Sequence, residues 1–275
     1  MGLPGVRWPS GVEMTPQLDL RERLDLYCGL RPVRLYHPAH SPLKNARAGG
    51  IDFLLVRENT EGLFSTRLAP LDRAAAQAED TLRITRRGAE RICRAAFEQA
   101  RRRRGRLALA DKANVLPSMA YFRMVFDETA AAFPDVETER VYIDAMALYL
   151  VQRPERFDVI VTENMFGDIL SDLAAGLVGG MGMAPSADTG DRHAVFQPSH
   201  GSAPDIAGQG LANPVAAILS AAMMLEWLGA PEELDGAARI RRAVETVLAS
   251  GAGTRDLGGQ LSTTELGRLI TEAAS

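Results

Sequence analysis

This chain is short of cysteine, of long apolar runs, of positive charge and of histidine. Only Cys28 and Cys93 occur among its 275 residues. Both sit in apolar, helix-like contexts that match neither a metal motif nor a redox motif, so they are expected to be reduced core thiols of a cytoplasmic protein. No apolar run approaches membrane-spanning length, and no basic stretch followed by an apolar one opens the chain. Neither a membrane span nor a secretory leader is therefore expected. Lys plus Arg number 31 against 35 for Asp plus Glu, a net charge of −4. That balance argues against nucleic acid as the main partner. Four histidines, none beside the acidic cluster described next, fit a His-rich zinc site poorly. Internal repeats, low-complexity tracts and the Gly-x-Gly-x-x-Gly dinucleotide fingerprint are also missing.

What is present begins with three aspartates: Asp144 in Tyr-Ile-Asp-Ala, then Asp168 and Asp172 in Asn-Met-Phe-Gly-Asp-Ile-Leu-Ser-Asp. The last two lie four apart in a helical pattern, Asp168–Leu177, so both carboxylates share one face, one turn apart. Like charges held this close call for a cation, and Mg²⁺ or Mn²⁺ suits carboxylate oxygens. A solvated helix face is the ordinary alternative for Asp-x-x-x-Asp. Here the helix is otherwise apolar and Gly167 precedes the first Asp, which predicts a buried helix start.

Strand-like runs at Ile51–Val56, Leu107–Ala110, Arg140–Ile143 and Val159–Val161 alternate with helical patterns at Thr85–Arg104 and Met119–Ala132. Such alternation predicts an α/β protein with a partly parallel sheet. The stretch from Gly179 to Ser186 reads as a hinge or domain crossover. After it come a short strand at Ala194–Phe196 and helices at Pro214–Leu228 and Leu234–Ala249. The run Arg101–Arg104 reads as the basic last turn of a helix capped by Gly105, rather than a polyanion site.

Three other clusters carry chemistry. Arg57 follows the strand Ile51–Val56 directly, and Arg21 and Arg31 lie upstream. Converging arginine forks would select a di- or tricarboxylic acid, although any one alone reads as a surface ion pair. Lys112, in Asp-Lys-Ala-Asn after the strand Leu107–Ala110, is either a general base of lowered pKa or an ordinary salt-bridge partner. The loop from Pro198 to Gly210 is rich in small residues and reads as a binding loop, the alternative being a plain connection. Its Asp205 suits ribose hydroxyls and would repel a 2′-phosphate.

In this order and spacing, these segments closely resemble the metal-dependent β-decarboxylating dehydrogenases, which act on isopropylmalate, isocitrate, homoisocitrate, tartrate or D-malate. The resemblance runs from about Leu20 to the C-terminus. It implies an isopropylmalate-dehydrogenase-like α/β fold, with a large mixed sheet spanning two domains. One would be a cofactor-binding domain of residues 1–26 and 179–275, the other a substrate, metal and dimerisation domain of residues 27–178.

Residue by residue, the resemblance implies that Arg21, Arg31 and Arg57 hold the substrate carboxylates. Asp144, Asp168 and Asp172 would ligate Mg²⁺ or Mn²⁺, and Lys112 would take the hydroxyl proton. Asn114 would lie beside the nicotinamide, and His200, Gly201, Ser202, Ala203, Asp205 and Asn213 would hold the adenosine, Asp205-Ile206 resembling the NAD version. Lys112 and Asp144 would come from the neighbouring subunit of a homodimer. The implied reaction is NAD-dependent oxidative decarboxylation of a 2-hydroxy dicarboxylic acid, with the substituent pocket near Thr15, Gln17 and Leu18. Polar Gln17 favours malate or tartrate over isopropylmalate.

Two departures stand out. Phe64 occupies the position where the family usually carries a proton-donating tyrosine. The family's opening strand and Gly-Asp-Gly-Ile-Gly-Pro-like turn are missing, so an N-terminally truncated fold with an incomplete cofactor domain is expected. Phe64 and that missing segment leave a second reading, a non-catalytic or weakly active homologue that binds a carboxylate ligand.

Overall fold

Phe53, Leu54, Leu55 and Val56 are apolar in succession, a pattern that suits a strand covered on both faces. The computed structural model, which describes residues 16–69, 72 and 74–275, places them so. Phe53 and Leu55 point into one core with Ala108, Ala110 and Ile160. Leu54 and Val56 point into a second core with Leu107, Leu109 and Val161. The parity follows from the two-residue period of a strand.

In chain order the elements are α1 (Pro16–Arg23), β1 (Cys28–Arg34), β2 (Asp52–Glu58), α2 (Arg86–Arg101), β3 (Arg106–Asp111), α3 (Pro117–Ala130), β4 (Glu137–Tyr142) and α4 (Ile143–Gln152). There follow β5 (Val159–Thr162), α5 (Asn164–Leu177), β6 (Pro185–Thr189), β7 (Ala194–Pro198), α6 (Val215–Leu228), α7 (Pro231–Ala249) and α8 (Thr263–Ala274). The strands form one sheet in the order β4-β3-β5-β2-β1-β6-β7. The pairings β4–β3, β3–β5 and β5–β2 are parallel, whereas β2–β1, β1–β6 and β6–β7 are antiparallel. Helices α2 and α3 cover one face; α4 to α8 supply the other core. This is the expected α/β fold with a mixed sheet.

The parallel half has a functional consequence. The C-terminal ends of β2, β3, β4 and β5 lie along one edge, where ligands of such sheets bind. Lys112, Asp144 and α5 follow those ends, whereas Arg57, expected just after its strand, is the penultimate residue of β2, which runs on to Glu58.

Several sequence expectations need correction. Ile143 opens α4 instead of ending β4, so Asp144 stands in a helix first turn. Helix α5 starts four residues before Asp168, with Glu163 capping it through the backbone N–H groups of Met165 and Phe166. Asp168 and Asp172 therefore occupy an exposed flank of α5 and not its buried start. Cys28 opens a strand rather than a helix; both cysteines are buried and unpaired. The expected crossover at 179–186 ends in β6, whose Ser-Ala-Asp-Thr composition disguises it.

Gly105 behaves as expected: at φ +73° its N–H donates to Ala100 O at 3.0 Å, closing α2. The arginines before it do more than complement a dipole. Arg103 pairs with Asp52 and the fully buried Asp158 at 2.6 and 2.9 Å, tying the α2–β3 turn beneath the sheet.

Candidate active site

Arg57 ends the apolar run of β2 and is only 2% exposed. Its Nε and Nη2 donate to Asn164 Oδ1 at 3.0 and 2.7 Å, and its Nη1 donates to Asp168 Oδ1. The Phe64 ring lies 5.4 Å from its guanidinium carbon, within cation–π range. Burial, with help from Arg21 and Arg31, pulls the Arg57 pKa down to about 10, while Asp168 opposes the shift. Gly167 makes this packing feasible. A Cβ there would stand 2.6 Å from Arg57 Cγ, so only glycine lets α5 lie against this arginine.

Arg21 on α1 and Arg31 on β1 meet at Asp188 on β6. Arg21 Nε and Arg31 Nη2 each donate to its carboxylate at 2.9 Å, and Asn59 Nδ2 adds a third hydrogen bond at 2.9 Å. Asp188 is 1% exposed. Burial alone would raise its pKa, but the charges and hydrogen bonds of Arg31 and Arg21 hold it well below the usual carboxylate range. The register explains the meeting, since β1 pairs with both β2 and β6 and sets Gly29 opposite Arg57 and Asp188.

Arg21, Arg31 and Arg57 line one cavity of about 270 Å³, with Gln17 and Leu18 of α1 and Phe64. Thr15 lies outside the described residues. Asp168, Ser171 and Asp172 of α5, Met181, and the segment Gln197 to Gly201 at the end of β7 and in the loop after it also line it. Although Asp172 is exposed overall, partial burial of its carboxyl in the cavity wall, followed by repulsion from Asp168, raises its pKa. Two hard oxygen donors one helical turn apart, with repulsion between them, fit a divalent cation.

Lys112 and Asp144 form their own pair, Nζ to Oδ1 at 2.6 Å, outside the lining of that cavity. The hydrogen bond from Lys112 lowers the Asp144 pKa. The buried Asp111 holds the turn that carries Lys112. Its oxygens accept from Arg123 Nε and Nη2 at 2.7 and 2.6 Å and from Ala113 N at 3.0 Å. Among the described residues, no three His, Cys, Asp or Glu side chains come together as a metal site. A single chain thus brings Asp168 and Asp172 together but leaves Asp144 apart.

Asn114 is exposed two residues beyond Lys112. The loop after β7 is likewise exposed at His200, Ser202, Ala203 and Asp205. Ala203 adopts a left-handed φ of +42°, which turns the backbone sharply before a short helical turn that includes Asp205. Asn213 is different. It is buried, donates to Asp256 Oδ2 at 3.1 Å and accepts from Val215 N at 3.0 Å, anchoring the start of α6.

Sequence reasoning missed Asp188, Asn59, Asn164, Asp111 and Arg123. Asn59 and Asn164 follow strand ends, as Lys112 does, and that signal was available. Asp188 had none, because its arginine partners lie 167 and 157 residues away.

The model of the isocitrate/isopropylmalate dehydrogenase family matches residues 4–270. An isocitrate/homoisocitrate dehydrogenase of Thermus thermophilus is 51% identical over 92% of this chain and 73% of its own length. A 3-isopropylmalate/3-methylmalate dehydrogenase of Methanocaldococcus jannaschii is 47% identical over 93% of this chain and 75% of its own. The crystal structure of isocitrate dehydrogenase from Methylococcus capsulatus superposes with a TM-score of 0.87 at 39% identity, covering 98% of this chain and 80% of that one.

Proposed function

Because the chain belongs to the isocitrate/isopropylmalate dehydrogenase family and is a hydroxy-acid dehydrogenase, we propose that it oxidatively decarboxylates a 3-substituted (R)-malate or related 2-hydroxy dicarboxylic acid, of the isopropylmalate, malate or tartrate type, using NAD⁺ and Mg²⁺ or Mn²⁺. One observation carries this reading. Three guanidinium groups and the Asp168–Asp172 pair face a single cavity sized for a small acid.

Arg21 and Arg31 would grip one carboxylate and Arg57 would orient the substrate against Asp168. Asp168 and Asp172, with Asp144 of a second protomer, would hold the cation. Asn114 and the loop of His200, Gly201, Ser202, Ala203 and Asp205 would take the cofactor, while Asn213 would fix the base of that loop. When bound, the cation would polarise the hydroxyl and its neighbouring carboxylate, and the nicotinamide would accept a hydride. Lys112 is the group we assign to take the hydroxyl proton, acting as the neutral amine, with Asp144 placed to stabilise the ammonium that results. Because that pair stands outside its own chain's cavity, it would act in the cavity of a partner, which makes the active unit a homodimer. The same reading assigns residues 27–178 to substrate, metal and dimer contacts and residues 1–26 and 179–275 to the cofactor. The boundary between them falls where β1 meets β6. Among the described residues no helix is long and apolar enough to cross a membrane, and two buried free thiols suit a cytoplasmic location.

Purified protein given Mn²⁺, NAD⁺ and these acids should form reduced cofactor with at least one of them. Failure with every acid would sink the proposal. Phe64 favours a second reading, a non-catalytic or weakly active homologue that binds a carboxylate ligand. Its ring lies against Arg57 and has no proton to donate. Metal-dependent calorimetric binding of a dicarboxylate, without cofactor reduction, would select that reading.

A further inference from the structure

The three arginines of the cavity are not equivalent. Arg57 has all three nitrogens engaged, by Asn164 and Asp168. Arg21 and Arg31 share the buried carboxylate of Asp188, and Arg31 also donates to Ala187 O at 3.3 Å. Arg21 reaches Asp188 through Nε and Arg31 through Nη2, so the terminal nitrogens of Arg21 and the Nε of Arg31 are the donors left for a ligand.

Charge follows the same pattern. Arg21, Arg31 and Arg57 are offset by Asp188, Asp168 and Asp172, and a partner's Lys112–Asp144 pair would add one charge of each sign, which leaves the set neutral. A divalent cation would add two positive charges, and a dicarboxylate would cancel them. A tricarboxylate would leave one negative charge uncompensated in a partly buried site, which is costly. Beyond these charged groups the lining is uncharged except for His200 at the exposed mouth, which carries charge only when protonated, so a third carboxylate meets no fixed counter-charge.

We infer that Asp188 is a specificity-determining positioning residue: by fixing Arg21 and Arg31 and cancelling one of their charges, it makes the cavity select dicarboxylic over tricarboxylic hydroxy acids. This rests on the hydroxy-acid reading above. Asp188 touches the arginines, and its effect on substrate runs through them.

The test compares kcat/KM for isopropylmalate and malate with that for isocitrate and homoisocitrate, in wild type and in Asp188→Asn. Wild type should favour the dicarboxylates, and Asp188→Asn should move the ratio about tenfold towards the tricarboxylates, mainly through KM. A merely structural Asp188 would weaken both classes alike, so an unchanged ratio overturns the inference. Should the variant fail to fold, wild type still decides. By calorimetry in the presence of Mn²⁺, succinate should bind about tenfold more tightly than tricarballylate, and equal or reversed affinities overturn the inference. Absence of turnover with every acid would sink the parent reading instead, while the same binding ratio, compared between wild type and Asp188→Asn, would still judge Asp188.

Discussion

Two inactive variants, Lys112→Ala and Asp168→Asn, should restore activity when mixed. Strands β2 and β3 are separated by β5, so Arg57 at the end of β2 and the turn carrying Lys112 start roughly 10 Å apart along the sheet edge. Lys112 is moreover drawn the other way, towards Asp144 beyond the edge strand β4. If its working position is the partner's cavity, a hybrid dimer has one site with both lesions and one with neither. Each parent variant should fall to about 1% of wild type or below, since losing a general base typically costs about 10²–10⁴-fold. Random reassociation makes about half of the dimers hybrid, and each has one good site, so the mixture should recover about a quarter of wild-type activity. The assay is cofactor reduction after co-refolding the two variants at equal concentration. A mixture no more active than its parents, with reassociation verified by size and by differing tags, would refute the shared site.

Gly167→Ala should shift α5 against β2 and push Arg57 from its seat, because the new methyl would lie 2.6 Å from Cγ and 2.9 Å from Cβ of Arg57. A rise in KM of about tenfold, with kcat less affected, is the expected kinetic signature. Asp111→Ala should strip the Lys112 turn of its Arg123 clamp. Because Arg123 is partly exposed, we expect a loss of about 2 kcal/mol, read as a melting-temperature drop of about 4–8 °C, together with a lower kcat. The depressed pKa of Asp188 sets a pH dependence. A carboxylate more acidic in the folded than in the unfolded chain contributes stability above its unfolded pKa of about 3.9, and loses it as pH falls towards its folded value. Urea unfolding should therefore show wild type more stable than Asp188→Asn near neutrality, with the gap narrowing below about pH 4. A gap that widens on acidification would contradict this.

Arg57 and Lys112 were legible because each follows a short apolar run, and a strand end is where an α/β sheet exposes function. Asp168 and Asp172 were legible because helical spacing fixes a shared face whatever the helix packs against. Position along the helix was harder to read. Glu163 caps α5 before any apolar periodicity begins, so the apparent start at Asp168 was four residues late. Elements built from small or mixed residues escaped as well. Strand β6 carries only Pro, Ser, Ala, Asp and Thr, and it is strand because β1 and β7 flank it. Asp188 sits there, so the charge balance of the cavity could not be read locally. It depends on the register of β1 against both β2 and β6, which only the folded sheet sets.

The most direct test of the central claim is simultaneous measurement of CO₂ release and NAD⁺ reduction, with the metal removed and then restored. With isopropylmalate or malate as substrate, the account predicts equal amounts of CO₂ and reduced cofactor in Mn²⁺, neither in chelator, and recovery when Mn²⁺ returns. Reduction that persists without metal, or reduction with no CO₂ released, would contradict it.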